Sequence, residues 1–317
     1  MKLAILDDYQ RVALDMADWS LLRDAVEITV FERHLGGLDA VAAALHDFEI
    51  VCAMRERTPF PRALLERLPR LRLLVTTGAA NAAIDLAAAA EHGVTVCGTA
   101  SIPRPPAEHT WALILAAARH LPAEDRYMRA GGWQRTVGID LAGRTLGVIG
   151  LGRIGGIVAE IGRAFGMTIL AWSQNLTAER AQACGATLVA KEALLAGADF
   201  VTIHLRLGER TRGLIGAAEL AAMRTSAWLV NTSRGPIVDE AALIDALERH
   251  AIAGAALDVY DQEPLPADHP LRRQGNTVLS PHLGYVTLGT YEAFYRGTVA
   301  AVRAWLDGTP IRLLSPS

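Results

Sequence analysis

The sequence predicts an α/β protein of two domains, each a parallel sheet covered on both faces by helices. Three observations carry this. Short apolar runs alternate with helix-like stretches almost throughout the 317 residues. Strands that alternate with helices imply a parallel sheet. A proline-rich passage, Ile102-Pro103-Arg104-Pro105-Pro106, then breaks the alternation and opens a long apolar helix. After it a second strand–helix series begins at RTLGVIGLG. A chain of this length is expected to hold one large or two ordinary domains.

Along the first series, KLAILD reads as a strand, followed by a helical stretch near residues 14–24 and the strand EITVFE. VAAAL leads to EIVCAM, ALLERL to LRLLVTT, and AIDLAAAAEHG to VTVCG. These strands are continuous apolar runs rather than alternating ones, as a doubly covered sheet requires. IPRPPAEHTWALILAAARHL is the crossing. Prolines stiffen a linker and can open a helix, but do not belong inside one. The second series runs through MTILAWS, ATLV, ADFVTIHL, AWLVNTS, IAGAALDVY and TVLSPH. The tail TYEAFYRGTVAAVRAWLDG is helical and returns to the first domain. No fixed-period repeat is visible.

Composition narrows the function. Hydrophobic residues make up 51% and charged residues 21%, enough for a well-filled core. The net charge of -3 argues against a general nucleic-acid binder, which needs a cationic surface. Cys52, Cys97 and Cys184 are far apart, with no CxxC pair, so they read as free thiols of a cytoplasmic protein. The apolar stretch in MKLAILDDYQ is too short for a signal peptide, and ALILAAA is far below membrane-spanning length. No HExxH or Asp/His cluster has ligand spacing, so no metal is expected.

TLGVIGLGRIGGIVAEIGRAFG carries GxGxxG at Gly150, Gly152 and Gly155. The pattern alone is weak in a chain with 28 glycines. Its context is what gives it force: a strand before it and an amphipathic helix from about Arg153 after it. Gly150 permits the tight turn, Gly152 lets backbone approach a pyrophosphate, and Gly155 allows close helix–strand packing. The helix N-terminus then faces the anion. This predicts a Rossmann-type dinucleotide-binding domain. An acid usually follows about 20 residues on, to bind the ribose hydroxyls. Here the second strand ends in Ser173-Gln174-Asn175, with neither that acid nor an arginine. NAD and NADP both stay open.

The stretch LVNTSRGPIVDE puts Arg234 at the tip of a buried-looking strand. An isolated arginine is usually a solvated charge. Its company changes that reading. With TLGVIGLGRIG, NTSRGPIVDE, ALDVYDQEPLP and PHLGYVT in this order, nearly the whole chain resembles the D-isomer-specific 2-hydroxyacid dehydrogenase family. The resemblance implies a flavodoxin-like α/β substrate domain (1–101 and 286–317) and a Rossmann cofactor domain (102–285), with an active-site cleft between them. It implies an NAD(P)-dependent oxidoreductase that moves hydride between nicotinamide and a small D-2-hydroxy or 2-oxo acid. The catalytic set it implies is Arg234, Glu263 in DQEP and His282 in PHLG. A homodimer is also implied.

The chemistry is coherent. An arginine fork fits a carboxylate and its neighbouring oxygen. A histidine exchanges a proton near neutral pH, and a carboxylate orients the imidazole and stabilises its protonated form. The cofactor candidates are Gly150, Gly152, Arg153, Ile154, Gly155, Ser173, Thr232, Asp258, His282 and Gly284. Asp258 resembles the residue that hydrogen-bonds the nicotinamide carboxamide. TTGAANAAID resembles the family's carboxylate-binding loop, with Gly78, Ala79 and Ala80 offering backbone N–H groups. Arg55 and Arg57 follow the third strand. Facing the cleft, either would bind an anion; facing solvent, both are surface charges. Arg55 is the substrate-binding candidate, along with Arg234.

Two departures from the family concern specificity. Arg206 stands where proline is usual, and Tyr285 where a small residue is common. His204 ends a strand, His109 lies in the crossing helix, and the remaining histidines have no visible partners. A dinucleotide-sensing binding protein on the same fold is the alternative of a different class. Fold alone does not separate it from an enzyme.

Overall fold

The computed structural model describes residues 1–316. The chain divides into two compact units, one formed by Met1–Ile102 with the chain from Thr287 onward, the other by Pro103–Val286. The first unit opens with β1 (Lys2–Ile5), β2 (Glu27–Val30), α1 (Leu38–Leu45), β3 (Ile50–Ala53), α2 (Arg62–Leu65), β4 (Leu73–Thr76), α3 (Leu86–Glu91) and β5 (Thr95–Cys97). The strands form one parallel sheet in the order β2-β1-β3-β4-β5. This is the flavodoxin-like order, with its switch point between β1 and β3. β3 and β4 are buried at every position, whereas β2 at the edge alternates between half-buried and exposed.

The helix expected near residues 14–24 is not there. Its place is taken by turns and a single 3-10 turn at Trp19–Leu22. Local side chains compete for the backbone. The Asp8 carboxylate accepts the N–H groups of Val12 (3.1 Å) and Ala13 (3.0 Å), and Asp18 accepts that of Ser20. The Trp19 indole donates to the Ala13 carbonyl at 2.8 Å. Aspartates that bond nearby N–H groups draw the backbone out of helix.

The second unit begins with α4 (Arg104–Ala118), which carries Pro105 and Pro106 in its first turn, and α5 (Leu121–Arg129). There follow β6 (Thr145–Ile149), α6 (Arg153–Ala164), β7 (Thr168–Trp172), α7 (Ala178–Ala183), β8 (Thr187–Leu188), α8 (Lys191–Gly197) and β9 (Phe200–Ile203). The unit ends with α9 (Ala217–Ala222), β10 (Trp228–Asn231), α10 (Glu240–Glu248), β11 (Gly254–Leu257) and β12 (Thr277–Leu279). Finally α11 (Leu288–Leu306) returns to the first unit, where it packs on β4. The sheet order β12-β11-β10-β9-β6-β7-β8 reverses direction between β6 and β9. All its pairs are parallel. Ligands of open α/β sheets bind outside the carboxyl ends of strands at such a reversal.

The two faces of this sheet explain its apolar strands. Leu146, Val148, Ile169, Phe200 and Val230 pack with Trp111, Ile114 and Val158 from α4 and α6. Their neighbours Val201, Ile203, Leu229, Ala255 and Leu257 pack on the other face with Leu194, Leu220 and Leu243 from α8, α9 and α10. Successive side chains of a strand point to opposite faces, so burial of both faces removes the polar alternation.

Candidate active site

The glycine loop leaves β6 with Gly150 at φ +100°, and its N–H donates to the Trp172 carbonyl at the end of β7 (2.8 Å). A Cβ on Gly155 would stand 2.1 Å from the Gly150 carbonyl oxygen, so helix α6 can approach the loop this closely only through glycine. Gly152 is the N-cap of α6 and offers no side chain to its first turn. A Cβ there would meet nothing within 4 Å. Among the described residues, the N–H groups of Arg153, Ile154 and Gly155 have no acceptor. An open space faced by bare helix N–H groups fits a pyrophosphate. Ser173 follows β7 half-buried, and Arg206 lies exposed beyond β9. His204 Nε2 lies 2.9 Å from Thr202 Oγ1, and desolvation lowers its pKa to about 3, so the imidazole is neutral.

Three strand ends on the other side of the reversal carry the expected catalytic residues. At the end of β10, Asn231 (1% exposed) turns the chain back on itself. Its Nδ2 donates to the Arg234 carbonyl (2.9 Å) and its Oδ1 accepts the Ser233 N–H (3.0 Å). Ser233 Oγ donates to the Leu205 carbonyl, tying this turn to the end of β9. Arg234 is half-buried, and its Nη1 donates to the Ser233 carbonyl at 2.7 Å. Gly235 lies against the Tyr260 backbone, where a Cβ would come within 2.1 Å of the carbonyl carbon. The Arg234 turn is thereby packed on the segment that leads to Glu263.

His282 Nδ1 lies 2.6 Å from Glu263 Oε2. A carboxylate only accepts, so Nδ1 carries the hydrogen and Nε2 is the atom left to exchange a proton. The other oxygen, Glu263 Oε1, accepts the Tyr260 N–H at 2.9 Å. Tyr260 also donates its hydroxyl to the Ser280 carbonyl at 2.9 Å. The His282 ring meets Tyr285 edge-on, with centroids 5.5 Å apart.

Asp258, just beyond β11, is 1% exposed. Oδ1 accepts from His109 Nε2 (3.1 Å), Ser280 Oγ (2.5 Å) and the Leu283 N–H (2.7 Å), while Oδ2 accepts the Gly284 N–H (2.9 Å). Burial alone would raise the pKa. The hydrogen bonds from His109, Ser280 and Leu283 outweigh it and hold the carboxyl below its ordinary value. The sequence suggests a carboxamide partner for Asp258; in the structure Oδ2 accepts one protein donor, the Gly284 N–H, and a carboxylate oxygen can accept a second. Thr232, at the end of β10, pairs its hydroxyl with Thr110 of α4 at 2.8 Å. The sequence alone points to no partner for His109 and no role for Thr110, Tyr260 or Ser280. The His109–Asp258, His109–Ser280 and Thr110–Thr232 contacts join remote stretches, so no local pattern marks them.

In the first unit, Gly78 takes φ +94° at the end of β4. Its N–H donates to Thr99 Oγ1 at 2.7 Å, so this expected substrate donor is already used within the protein. Ala79 and Ala80 are exposed, and their N–H groups have no acceptor among the described residues. Arg55 reaches across the loop, donating from Nη1 to the carbonyls of Thr77 (3.1 Å) and Ala80 (3.3 Å). It therefore shapes the loop that presents those N–H groups. Arg57 donates to the Asp7 carbonyl at 2.7 Å and lies 4.5 Å over the Tyr9 ring. Among the described residues, no three His, Cys, Asp or Glu side chains gather to hold a metal ion, and no helix is long and apolar enough to cross a membrane.

Residues 111–284 match the family model described as D-isomer specific 2-hydroxyacid dehydrogenase, NAD binding domain. The chain is 44% identical over 237 residues to a glyoxylate reductase of Aeropyrum pernix, covering 72% of this chain and 71% of that protein. It superposes on the phosphoglycerate oxidoreductase of Vibrio cholerae with a TM-score of 0.93 at 38% identity, covering 97% of this chain and 99% of that one. The D-lactate dehydrogenase of Escherichia coli gives a TM-score of 0.84 at 25% identity, covering 99% and 100%. Family model, relatives and strand orders agree. The chain belongs to the D-isomer-specific 2-hydroxyacid dehydrogenase family of NAD(P)-dependent oxidoreductases, which act on the CH–OH group of 2-hydroxy acids.

Proposed function

We propose that the protein reduces a short 2-oxo acid to the D-2-hydroxy acid, and catalyses the reverse oxidation, through Arg234, Glu263 and His282. The observation that carries this is the 2.6 Å pair between His282 Nδ1 and Glu263 Oε2, which leaves Nε2 as the proton-exchanging atom. Nicotinamide, when bound, supplies or accepts the hydride. In reduction, His282 gives its Nε2 proton to the substrate carbonyl oxygen, and Glu263 balances the imidazolium. In oxidation, Nε2 takes the hydroxyl proton back. Arg234 grips the oxygens next to the reacting carbon through its planar fork. The N–H groups of Ala79 and Ala80, on the loop braced by Arg55, are assigned to the substrate carboxylate. The cofactor pyrophosphate is assigned to the N–H groups of Arg153, Ile154 and Gly155 beside Gly150 and Gly152. Thr232 and Gly284 complete the nicotinamide side.

Ser173 carries no charge to repel a 2′-phosphate, so both NADH and NADPH are accepted. The relatives named above differ in the acid they act on, from glyoxylate to lactate to phosphoglycerate. The deciding experiment measures NADH and NADPH oxidation with glyoxylate, pyruvate and bulkier or phosphorylated 2-oxo acids. Turnover of at least one is expected, and it falls sharply for Arg234→Ala and His282→Ala. Tight cofactor binding with no turnover on any acid would favour a sensing role.

A cytoplasmic homodimer is part of the same proposal. Free, buried Cys52 and Cys97 suit a reducing compartment. Met128 (63% exposed), Trp133 (72%) and Val137 (91%) lie apolar and exposed on α5 and the chain after it, a surface suited to a second copy. The net charge of -3 gives no support for nucleic-acid binding. Sedimentation of the purified protein tests the dimer.

A further inference from the structure

His282 holds φ at +55°, in the left-handed region. A Cβ disfavours this backbone conformation. It persists only where its surroundings over-determine it. The loop of residues 280–284 is pinned on both sides of His282. Before it, the Ser280 N–H donates to the Leu257 carbonyl (2.9 Å), and the Ser280 carbonyl accepts the Tyr260 hydroxyl (2.9 Å). After it, the Leu283 and Gly284 N–H groups donate to the two oxygens of Asp258 (2.7 and 2.9 Å). Ser280 Oγ donates to the same carboxylate. One buried carboxylate therefore grips both ends of the loop that presents the proton carrier.

That carboxylate needs its own anchor, and α4 provides it. His109 Nε2 lies 3.1 Å from Asp258 Oδ1 and 2.9 Å from Ser280 Oγ. Because a carboxylate only accepts, Nε2 carries a hydrogen toward it. The next residue, Thr110, bonds Thr232 on the Arg234 turn. Two adjacent residues of one helix thus tie the ends of the strands that carry the expected catalytic groups.

We infer that His109 is a positioning residue: by fixing Asp258 and Ser280 from α4 it holds residues 280–284 in the conformation that aims His282 Nε2. The inference rests on His282 as the proton carrier. His109→Leu removes the donor, His109→Gln retains an N–H at similar reach, and Ser280→Ala removes one grip without touching α4.

Three measurements on the full-length protein test it. The first is the downfield proton resonance of the His282–Glu263 bond in the cofactor-free protein. The second is NADH affinity by fluorescence titration. The third is the single-turnover rate of glyoxylate reduction by NADH. His109→Leu is expected to shift or broaden the resonance and to slow the chemical step about tenfold, since small misplacements of a reacting group are costly. NADH affinity should stay within about twofold, a small change in binding free energy. His109→Gln should restore most of the rate, and Ser280→Ala should show a weaker loss of the same kind. In a His282→Ala background, His109→Leu should cost nothing further, because residues acting through one another are not additive. An equal loss in that background, an unmoved resonance, or weakened NADH binding at an unchanged rate would each overturn the inference. If His282 is not the proton carrier, His282→Ala itself keeps the wild-type rate, which separates that failure from failure of the His109 assignment. The resonance tests the loop in either case.

Discussion

The two sides of the strand reversal in the second unit are built by opposite means. At the end of β6 the site is bare backbone: open space at Gly152 and, among the described residues, helix N–H groups without acceptors. At the ends of β10, β11 and β12 it is a connected set of side chains, with Asn231, Asp258, Tyr260 and Glu263 each engaged by backbone or by another side chain. A diphosphate needs a cradle that admits it, so side chains are removed. Proton transfer needs one imidazole nitrogen aimed to a fraction of an ångström, so side chains are added and locked. Changes at the first place should act on cofactor binding, and changes at the second on rate.

The largest effect should come from His282→Ala. General acid–base catalysis contributes roughly a hundredfold to ten-thousandfold, and both reaction directions should fall within that range. The directions should respond oppositely to pH in the wild type. Reduction needs the protonated imidazole and is lost as pH rises through its titration; oxidation needs the neutral ring and is lost as pH falls. His204 does not substitute for it, because its neutral state persists down to a pKa of about 3. Single-turnover rates across pH are the check, since product release can hide the chemical step. A variant that kept the wild-type profile would remove His282 from the proton transfer.

Arg234→Ala should follow, with a loss on the order of 3 kcal/mol, roughly a hundredfold in rate. Arg234→Lys should recover only part, because an ammonium lacks the paired donors. The side-chain network predicts that the protein still folds, because Asn231 and Ser233 hold the turn through backbone groups that any residue supplies. Circular dichroism with kcat and KM for the best oxo acid tests both statements. Near wild-type turnover by Arg234→Ala would break the proposed mechanism.

The same division explains what was legible in the sequence. The cradle is contiguous, so Gly150, Gly152 and Gly155 announce it within one turn, and the residues flanking it give strand and helix. The proposed roles of Arg234 and His282 rest on the local motifs that their neighbours form. The network behind them was not legible. His109 and Asp258 are 149 residues apart, and His109 and Ser280 are 171 apart, so neither contact leaves a spacing to read. The neighbours of Gly78 mark it as a substrate donor, but the hydroxyl that takes its N–H belongs to Thr99, on another stretch of chain. The helix anticipated near residues 14–24 failed for a related reason: apolar spacing was present, but Asp8 and Asp18 claimed the N–H groups.

A smaller and sharper test lies in the cradle itself. Gly152→Ala places a methyl group where no described residue lies within 4 Å, so thermal stability should be unchanged. If the open space is where the pyrophosphate lies, cofactor affinity should fall about tenfold, or roughly 1.4 kcal/mol. Gly155→Ala is the contrast. Its methyl would press on the Gly150 carbonyl at 2.1 Å, and overpacking of this kind costs about 1–3 kcal/mol of stability. Melting temperature and NADH affinity, measured together on the two variants, separate space kept for a ligand from space kept for packing. Unchanged NADH affinity in Gly152→Ala would move the cofactor away from this loop.

The smallest expected effect concerns the choice between the two cofactors. Ser173 is half-buried at the end of β7, the strand next to β6, where the adenosine ribose lies in dinucleotide folds. It brings no charge, and Gln174 and Asn175 can hydrogen-bond either a 2′-hydroxyl or a 2′-phosphate. The wild type should therefore discriminate weakly. Ser173→Asp adds an anion that accepts from ribose hydroxyls and repels a phosphate. Because this strand end opens to solvent at Gln174, the repulsion is screened. A shift of about 1 kcal/mol toward NAD, roughly fivefold in the ratio of kcat/KM values, is expected. The shift should shrink as salt is raised. A wild-type preference for NAD above about a thousandfold, near 4 kcal/mol, would show that specificity is set by something other than charge at this strand end.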